Sequence, residues 1–205
     1  MSVRSLVLIA KAPVAGRVKT RLISDSCSAT DAAQLAGCAI ADTLAALQEY
    51  PCDDKVILID GAFEAPAGWR LVPQVGGGLD QRLAAGFEAL PTGPALLVGM
   101  DTPQLTAELL QFDPSRYDAC LGLAADGGYW AIGFTDPAMA RRCIEGVPMS
   151  TDSTGAEQLR RMQAAGLHVQ LLPMLTDVDT AASAAEVAAA APGTSFARLW
   201  REIAA

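Results

Sequence analysis

Basic side chains cluster in one segment near the start of the chain, and their chemistry is that of phosphate binding. The segment KAPVAGRVKTRL (residues 11–22) holds four basic residues and no acidic one: Lys11, Arg17, Lys19 and Arg21. Arg presents a planar fork of donors and Lys a mobile point charge, and both suit phosphate oxygens. Gly16 lets the backbone turn or approach a ligand closely. The segment is neither a Walker P-loop nor a GxGxxG turn, so the alternative reading is a solvated basic loop.

Acidic residues at two places are candidate ligands for a divalent cation. Asp101 directly follows the apolar run 95–99, so its carboxylate is expected in the crevice at the end of a strand. Mg²⁺ prefers oxygen ligands and is usually held by one or two carboxylates together with substrate phosphates. In Asp177-Val178-Asp179-Thr180 the two carboxylates alternate, and one of them can face the same crevice. The alternatives are an Asx turn or a helix cap.

A third cluster, Asp126-Gly127-Gly128-Tyr129-Trp130, has groups that suit a hydroxyl-bearing acceptor. Asp126 can bind hydroxyls or act as a general base, and Gly127 and Gly128 leave the backbone open to a ligand. The two aromatic residues alternate faces on a strand, so we expect at most one to line a pocket and the other to lie in the core. A hairpin turn is the competing interpretation of Asp-Gly-Gly.

Hydroxyl groups also precede a later helix, in Met149-Ser150-Thr151-Asp152-Ser153-Thr154-Gly155. Ser150 and Thr151 can contact an acceptor or a phosphate. The same residues can instead only cap the helix that follows.

Strands and helices alternate along the chain, which predicts an α/β layer fold with a mostly parallel central sheet flanked by helices. We expect one domain over residues 1–205, because no linker-like stretch or internal repeat divides it. The predicted strands are 5–10, 55–60, 69–74, 95–99, 119–123, 129–134 and 169–172. The predicted helices are 30–49, 79–90, 106–111, 137–145, 153–165, 180–191 and 196–203.

The composition and the charge distribution exclude several classes of protein. Hydrophobic residues make up 51% of the 205 residues and charged residues 19%, which excludes a disordered chain. The net charge is −8, but residues 1–24 carry +5 and the remainder −13, which indicates a local anion site and argues against nucleic acid. Five scattered cysteines and the single His168 argue against a disulfide framework or a zinc site, and predict a cytoplasmic location. No apolar run is long enough to predict a membrane span.

Five motifs occur in a fixed order: KAPVAGRVKTRL, VGMDTPQLT (98–106), ADGGYWAIG (125–133), MSTDSTG (149–155) and DVDT (177–180). In this order they resemble a bacterial family of small GT-A-like transferases, first catalogued as a domain of unknown function. The family is also called radical-SAM/selenodomain-associated transferases, and some members are described as glycosyltransferases of arsenosugar biosynthesis. The KTRL piece is also similar to phospholactate guanylyltransferases, which share the nucleotide-diphospho-sugar transferase fold.

The resemblance implies a GT-A fold, a nucleotide or nucleotide-sugar and a divalent metal, Mg²⁺ or Mn²⁺. It places the nucleotide phosphates on the basic segment, including Gly16, and the metal on Asp101 and Asp179, the acid directly before Thr180. Asp101 and Asp126 are then the catalytic candidates. A small-molecule acceptor is expected at five residues: Gly127, Gly128, Tyr129, Ser150 and Thr151.

These expectations favour a metal-dependent glycosyltransferase. The alternatives are a nucleotidyltransferase that releases pyrophosphate and a nucleotide-binding module without turnover. The chain departs from the family pattern at two places: Gly77-Gly78-Leu79-Asp80-Gln81-Arg82 has its acid displaced, and Leu123 stands where proline is common. The apolar helix expected at 196–203 can pack internally or across a homodimer.

Overall fold

A computed structural model describes residues 2–204 and contains one seven-stranded sheet between two layers of helices. The strands are β1 (Ser5–Lys11), β2 (Asp54–Asp60), β3 (Arg70–Pro73), β4 (Ala95–Gly99), β5 (Ala119–Ala124), β6 (Tyr129–Phe134) and β7 (Val169–Leu175). The helices are α1 (Ala29–Leu47), α2 (Leu79–Glu88), α3 (Ala140–Ile144), α4 (Thr154–Ala164), α5 (Ala181–Ala190) and α6 (Ser195–Ile203).

The sheet has the order β3-β2-β1-β4-β6-β5-β7. Strand β6 runs antiparallel to both of its neighbours, and every other neighbouring pair is parallel. Six strands therefore point in one direction, which confirms the predicted mostly parallel α/β sheet. The continuous apolar runs of β1, β2 and β4 follow from this position, because a central strand is covered on both faces.

Alternate residues of the central strands enter two separate cores. Leu6 and Leu8 pack with the inner face of α1 on one side of the sheet, and Val7 packs with α2, α3 and α4 on the other. A third core lies outside the sheet, where α5 and α6 cover the outer face of α1. Helix α1 is consequently apolar on two sides, which explains why it is so rich in alanine and leucine.

Several helix boundaries differ from those predicted from the sequence. Helix α1 begins at Ala29 because Ser28 caps it in a reciprocal arrangement with Asp31, whereas the sequence pattern indicated a cap at Thr30-Asp31. The predicted helix 106–111 is only a 3₁₀ turn, Ala107–Leu110. The predicted helix 137–145 is divided into a 3₁₀ turn, Pro137–Met139, and the short α3.

Chain direction in the sheet brings the chemically interesting segments to one edge. The basic segment follows β1, Asp101 follows β4 and Asp177 follows β7, all at carboxyl ends. The turn between β5 and β6 lies at the same edge, because β6 runs the opposite way. Within residues 2–204 no helix combines the length and apolar character required to cross a membrane.

Candidate functional site

A cleft of about 470 Å³ opens at the carboxyl edge of the sheet. A second cavity of about 260 Å³, which we call the basic cavity, lies beside it against the loop that follows β1. The cleft is bordered by eight of the predicted residues: Arg21, Asp101, Asp126, Gly128, Tyr129, Ser150, Thr151 and Asp179. The basic cavity is bordered by six of them: Lys11, Arg17, Lys19, Arg21, Asp101 and Asp179. Residues from distant parts of the sequence are thus brought together.

Lys19 and Asp101 form an ion pair between the two cavities. The Nζ of Lys19 lies 2.5 Å from Oδ1 of Asp101 and also donates a hydrogen bond to the carbonyl oxygen of Val178. The Lys19 side chain is only 7% exposed, whereas that of Asp101 is 45% exposed. The lysine predicted to bind phosphate and the carboxylate predicted to bind a metal are therefore ion-pair partners.

The backbone reinforces this position of Lys19. Its φ is 50°, in the left-handed region that residues with a side chain seldom occupy. Such conformations persist where the surrounding structure enforces them, and they concentrate at functional sites. The amide of Val178 also donates to the carbonyl of Asp101, so the segment after β7 is fixed to the end of β4.

Arg21 and Asp179 form a second ion pair, nearer the surface. The helix cap that competed with a ligand role for Asp179 is supplied by Thr180, whose hydroxyl accepts a hydrogen bond from the Ser183 amide. The Asp179 carboxylate is therefore free of capping and is occupied by an exposed guanidinium. Metal binding by Asp179 stays a prediction.

Asp177 is a partly buried carboxylate of the cleft whose pKa is raised by its surroundings. Burial raises its pKa, and the neighbouring carboxylates of Asp126 and Asp101 raise it further, while Lys19 opposes them. Three negative groups thus converge with one lysine among them. The sequence pattern identified Asp177 and Asp179 as alternatives, and both of them border the cleft, on either side of the buried Val178.

This donor set fits a divalent cation that is shared with a ligand. No group of three or more His, Cys, Asp or Glu side chains within residues 2–204 is arranged to hold a metal by itself. Asp101 and Asp177 border the cleft together, and the buried Thr102 hydroxyl beside them has no hydrogen-bond partner. Mg²⁺ and Mn²⁺ suit such a site, because two carboxylates leave coordination positions for phosphate oxygens.

Replacing Asp177 with asparagine is expected to raise the melting temperature at neutral pH. Because folding raises the pKa of Asp177, its ionisation destabilises the folded state, and this cost is present above the folded-state pKa and absent below the unfolded-state pKa. The stabilisation by Asp177→Asn should therefore be largest near pH 7.5 and shrink towards about pH 3.5. Thermal unfolding at both pH values measures it, with the exposed Asp53→Asn as control. A variant less stable than wild type at neutral pH would contradict the repulsion.

Asp126 lies in the turn that joins β5 to β6. Its Oδ1 accepts a hydrogen bond from the Gly128 amide at 2.7 Å, and Gly127 has a φ of +91°. A Cβ at Gly127 would collide with the Asp152 carbonyl oxygen, so this position requires glycine. Asp-Gly-Gly thus forms the hairpin turn that was the alternative to a role in acceptor binding. The exposed Asp126 carboxylate nevertheless borders the cleft.

Tyr129 and Trp130 both border the cleft, but Trp130 is only 3% exposed and its side chain packs in the core, as expected for one of the two aromatic residues. Each is also anchored in the protein. The Trp130 indole donates to the Pro173 carbonyl at 3.0 Å, and burial, with a further contribution from Asp80, raises the pKa of the Tyr129 hydroxyl.

Ser150 and Thr151 occupy the loop that enters α4. Ser150 is exposed to the cleft with a φ of 60°, again in the left-handed region. The Thr151 amide donates to the Thr154 hydroxyl at 3.0 Å, and that hydroxyl in turn donates to the Pro148 carbonyl. The hydroxyl groups of this motif order the loop, and Ser150 remains turned to solvent.

Gly16 and Gly127 border neither cavity. Gly16 has a φ of +74° and open space around its Cβ position, so it shapes the turn of the basic loop rather than making room for a ligand. Arg17, next to it, is exposed.

Comparison with solved structures shows which fold this is. The chain is similar to a protein from Desulfovibrio desulfuricans G20 that is provisionally described as a nucleotide-diphospho-sugar transferase, with 26% identity, a TM-score of 0.85 and coverage of 98% of this chain and 95% of that one. The fold, with less similarity, is also that of 2-C-methyl-D-erythritol 4-phosphate cytidylyltransferase from Thermus thermophilus, at 18% identity and a TM-score of 0.50 over 84% and 89% of the chains.

A third solved structure with this fold is CMP:2-keto-3-deoxy-manno-octonic acid synthetase complexed with CTP, at 14% identity and a TM-score of 0.54 over 97% and 99% of the chains. No curated protein sequence matches the chain significantly. One family profile, described as "Uncharacterized protein conserved in bacteria (DUF2064)", matches residues 29–151, a stretch that includes Asp101 and Asp126. These findings confirm the resemblance inferred from the motifs: the chain belongs to the DUF2064 family and has the fold of the nucleotide-diphospho-sugar transferases.

Proposed function

We propose that this chain is a metal-dependent glycosyltransferase that takes a nucleotide-activated sugar and transfers the sugar to a small-molecule acceptor. The observation that carries the proposal is that Asp101 borders both the basic cavity and the cleft, with Lys19 beside it. A nucleotide-sugar has the matching layout, since its diphosphate lies between the nucleoside and the sugar. The likeness to the Desulfovibrio protein supports a transferase of this kind.

The donor diphosphate would be bound by the cations of the basic cavity. Lys11 and Arg17 form no ion pair within residues 2–204 and are available to phosphate oxygens. Lys19 would move from Asp101 to the diphosphate when the donor binds. Arg21 is exposed and can turn from Asp179 to the same group. These cations would stabilise the negative charge that develops on the leaving nucleoside diphosphate. Preorganised charges contribute most to catalysis where charge develops in the transition state.

Asp101 and Asp177, the two carboxylates that border the cleft beside the Thr102 hydroxyl, would hold the metal. A divalent cation supplies charge neutralisation to the diphosphate as it leaves. On the acceptor side, Asp126 borders the cleft and has one carboxylate oxygen fixed by the Gly128 amide, which leaves the other without that bond. Asp126 would receive the proton of the acceptor hydroxyl as that oxygen attacks the sugar carbon.

Nucleotidyl transfer is the second candidate, and the KTRL sequence of the basic loop favours it. The same cations would then grip a nucleoside triphosphate, and the leaving group would be pyrophosphate. The two reactions differ in the bond that breaks: carbon–oxygen at the sugar, or phosphorus–oxygen at the α-phosphate.

One assay distinguishes these reactions. The protein is incubated with Mg²⁺ or Mn²⁺, a panel of nucleoside-diphosphate sugars or nucleoside triphosphates, and pooled small hydroxyl acceptors. Release of a nucleoside diphosphate that depends on metal and acceptor is expected. Pyrophosphate release from a triphosphate would overturn glycosyl transfer in favour of nucleotidyl transfer. Absence of nucleotide binding by calorimetry would overturn both.

A further inference from the structure

A third cavity of about 230 Å³ opens from the cleft between α2 and the sheet, and we call it the side chamber. Its walls are mainly apolar, with Ile9, Leu83 and Leu97 among them. It shares Lys11, Met100 and Asp101 with the basic cavity, and Gly99, Asp101 and Tyr129 with the cleft. Its volume equals roughly eight water molecules, which suits one ring system rather than a whole nucleotide.

Arg82 of α2 is the distinctive polar residue of the side chamber. Its Nη1 donates to Oε1 of Gln74 at 3.1 Å, while its buried Nε–H has no acceptor. Arg82 forms no ion pair within the part of the chain that the structure describes. A partly buried guanidinium without an acidic partner is costly, because the charge has lost water and gained little in return.

Gln74 fixes the direction in which this guanidinium points. Its amide nitrogen donates to two carbonyl oxygens, those of Ala10 at 2.8 Å and Leu58 at 3.0 Å. Both donor hydrogens are thus committed to the ends of β1 and β2, and only Oε1 is left for Arg82. Gln74 is therefore a positioning residue. Because Nε of Arg82 is buried, the donors that a ligand in the side chamber would meet are the Nη N–H groups that Gln74 does not occupy.

The chemistry of the side chamber selects a particular kind of group. Its apolar walls favour a flat, weakly hydrated ring, and Arg82 can donate hydrogen bonds but cannot accept them. A keto base meets this requirement: guanine presents the O6 and N7 acceptors that a guanidinium binds bidentately, and uracil presents O4. On the corresponding edge, adenine keeps the N7 acceptor but carries an amino group in place of O6, and cytosine carries an amino group in place of O4. With either base, an arginine donor would therefore face an amino donor instead of an acceptor.

We propose that the side chamber binds the nucleobase of the donor and that Arg82 selects keto bases, guanine first and uracil second, over adenine and cytosine. The proposal rests on the proposed function, because a base in this chamber places the attached phosphates at Lys11 and Asp101 and the sugar in the cleft. It assigns a nucleotide class to the site.

Calorimetric titration of the protein with GDP, UDP, ADP and CDP, in the presence of Mn²⁺, tests the proposal. GDP and UDP are expected to bind roughly ten- to hundredfold more tightly than ADP and CDP. Arg82→Met should remove this preference by weakening GDP and UDP while leaving ADP and CDP nearly unchanged. Arg142→Met, at an exposed arginine without an ion pair within residues 2–204, is the matched control and should bind like wild type.

Arg82→Lys separates base recognition from general anion binding. Lysine keeps the charge and loses the planar fork, so base preference should fall as it does in Arg82→Met. If Arg82→Lys binds all four nucleotides like wild type, or Arg82→Met weakens all four equally, the chamber is an anion subsite and the proposal is overturned while the proposed function stands. If no nucleotide binds the wild-type protein, the proposed function itself fails. A melting temperature for each variant confirms that it is folded.

Discussion

Lys19→Met is expected to weaken binding of a nucleoside diphosphate about a hundredfold, the scale of losing a buried charged partner. Lys19 is almost fully buried between Asp101 and the Val178 carbonyl, and no other lysine or arginine within residues 2–204 pairs with Asp101. Without it, the diphosphate would lie against Asp101 with its nearest cation removed. Calorimetry with GDP or UDP measures the loss, and Lys55→Met, at a lysine on the opposite end of the sheet, is the matched control.

The same variant should bind Mn²⁺ alone more tightly than wild type does, because Lys19 and a metal compete for Asp101. This opposite response separates the role of Lys19 from simple unfolding, which would weaken both ligands. In wild type, a diphosphate that draws Lys19 away would free Asp101, so metal and nucleotide should bind cooperatively. Unchanged nucleotide affinity in a folded Lys19→Met protein would refute the phosphate role of this residue.

Much of the sheet could be predicted because burial on both faces leaves a simple signature. The runs that became β1, β2 and β4 are continuous and apolar, and β4 and β6 have the boundaries predicted for them. The apolar run of β6 records burial but not orientation, and only the hairpin interpretation of Asp-Gly-Gly indicated that β6 runs antiparallel to β5. Helix ends depended on single hydrogen bonds, such as the one that makes Ser28 and not Thr30 the cap of α1.

The site could be predicted as a set of residues but not as a set of interactions. The motifs identified Lys19 and Asp101 separately, one for phosphate and one for metal, and their wide separation in the sequence hides the ion pair that joins them. Arg82 was noted only as part of a family pattern, because nothing in the sequence shows that it lacks an acidic partner. Whether a charged side chain has an oppositely charged partner depends on the packing of the folded chain, because packing brings distant residues to the same cavity.

Asp101→Asn is expected to lower metal-dependent turnover about a thousandfold, in line with the loss of one preorganised electrostatic group at the leaving phosphate. Asparagine is nearly isosteric and can still accept a hydrogen bond from Lys19, so the fold should persist. It cannot offer a charged oxygen to Mg²⁺ or Mn²⁺. The expected loss is therefore confined to the part of nucleotide binding and turnover that the metal contributes. Release of nucleoside diphosphate with and without metal measures it.

Nucleotide affinity measured without metal shows whether Asp101→Asn loses activity through loss of the metal or through a structural change. Asp101→Asn removes the charge that pairs with Lys19, so metal-free GDP or UDP should bind at least as tightly as to wild type, while added Mn²⁺ should no longer help. A merely structural role for Asp101 would instead weaken binding under both conditions. Asp179→Asn is the matched comparison, because its partner Arg21 is 71% exposed and such surface pairs contribute little. If Asp179→Asn abolishes the metal response and Asp101→Asn does not, the metal lies on Asp179, and the assignment to Asp101 and Asp177 is wrong.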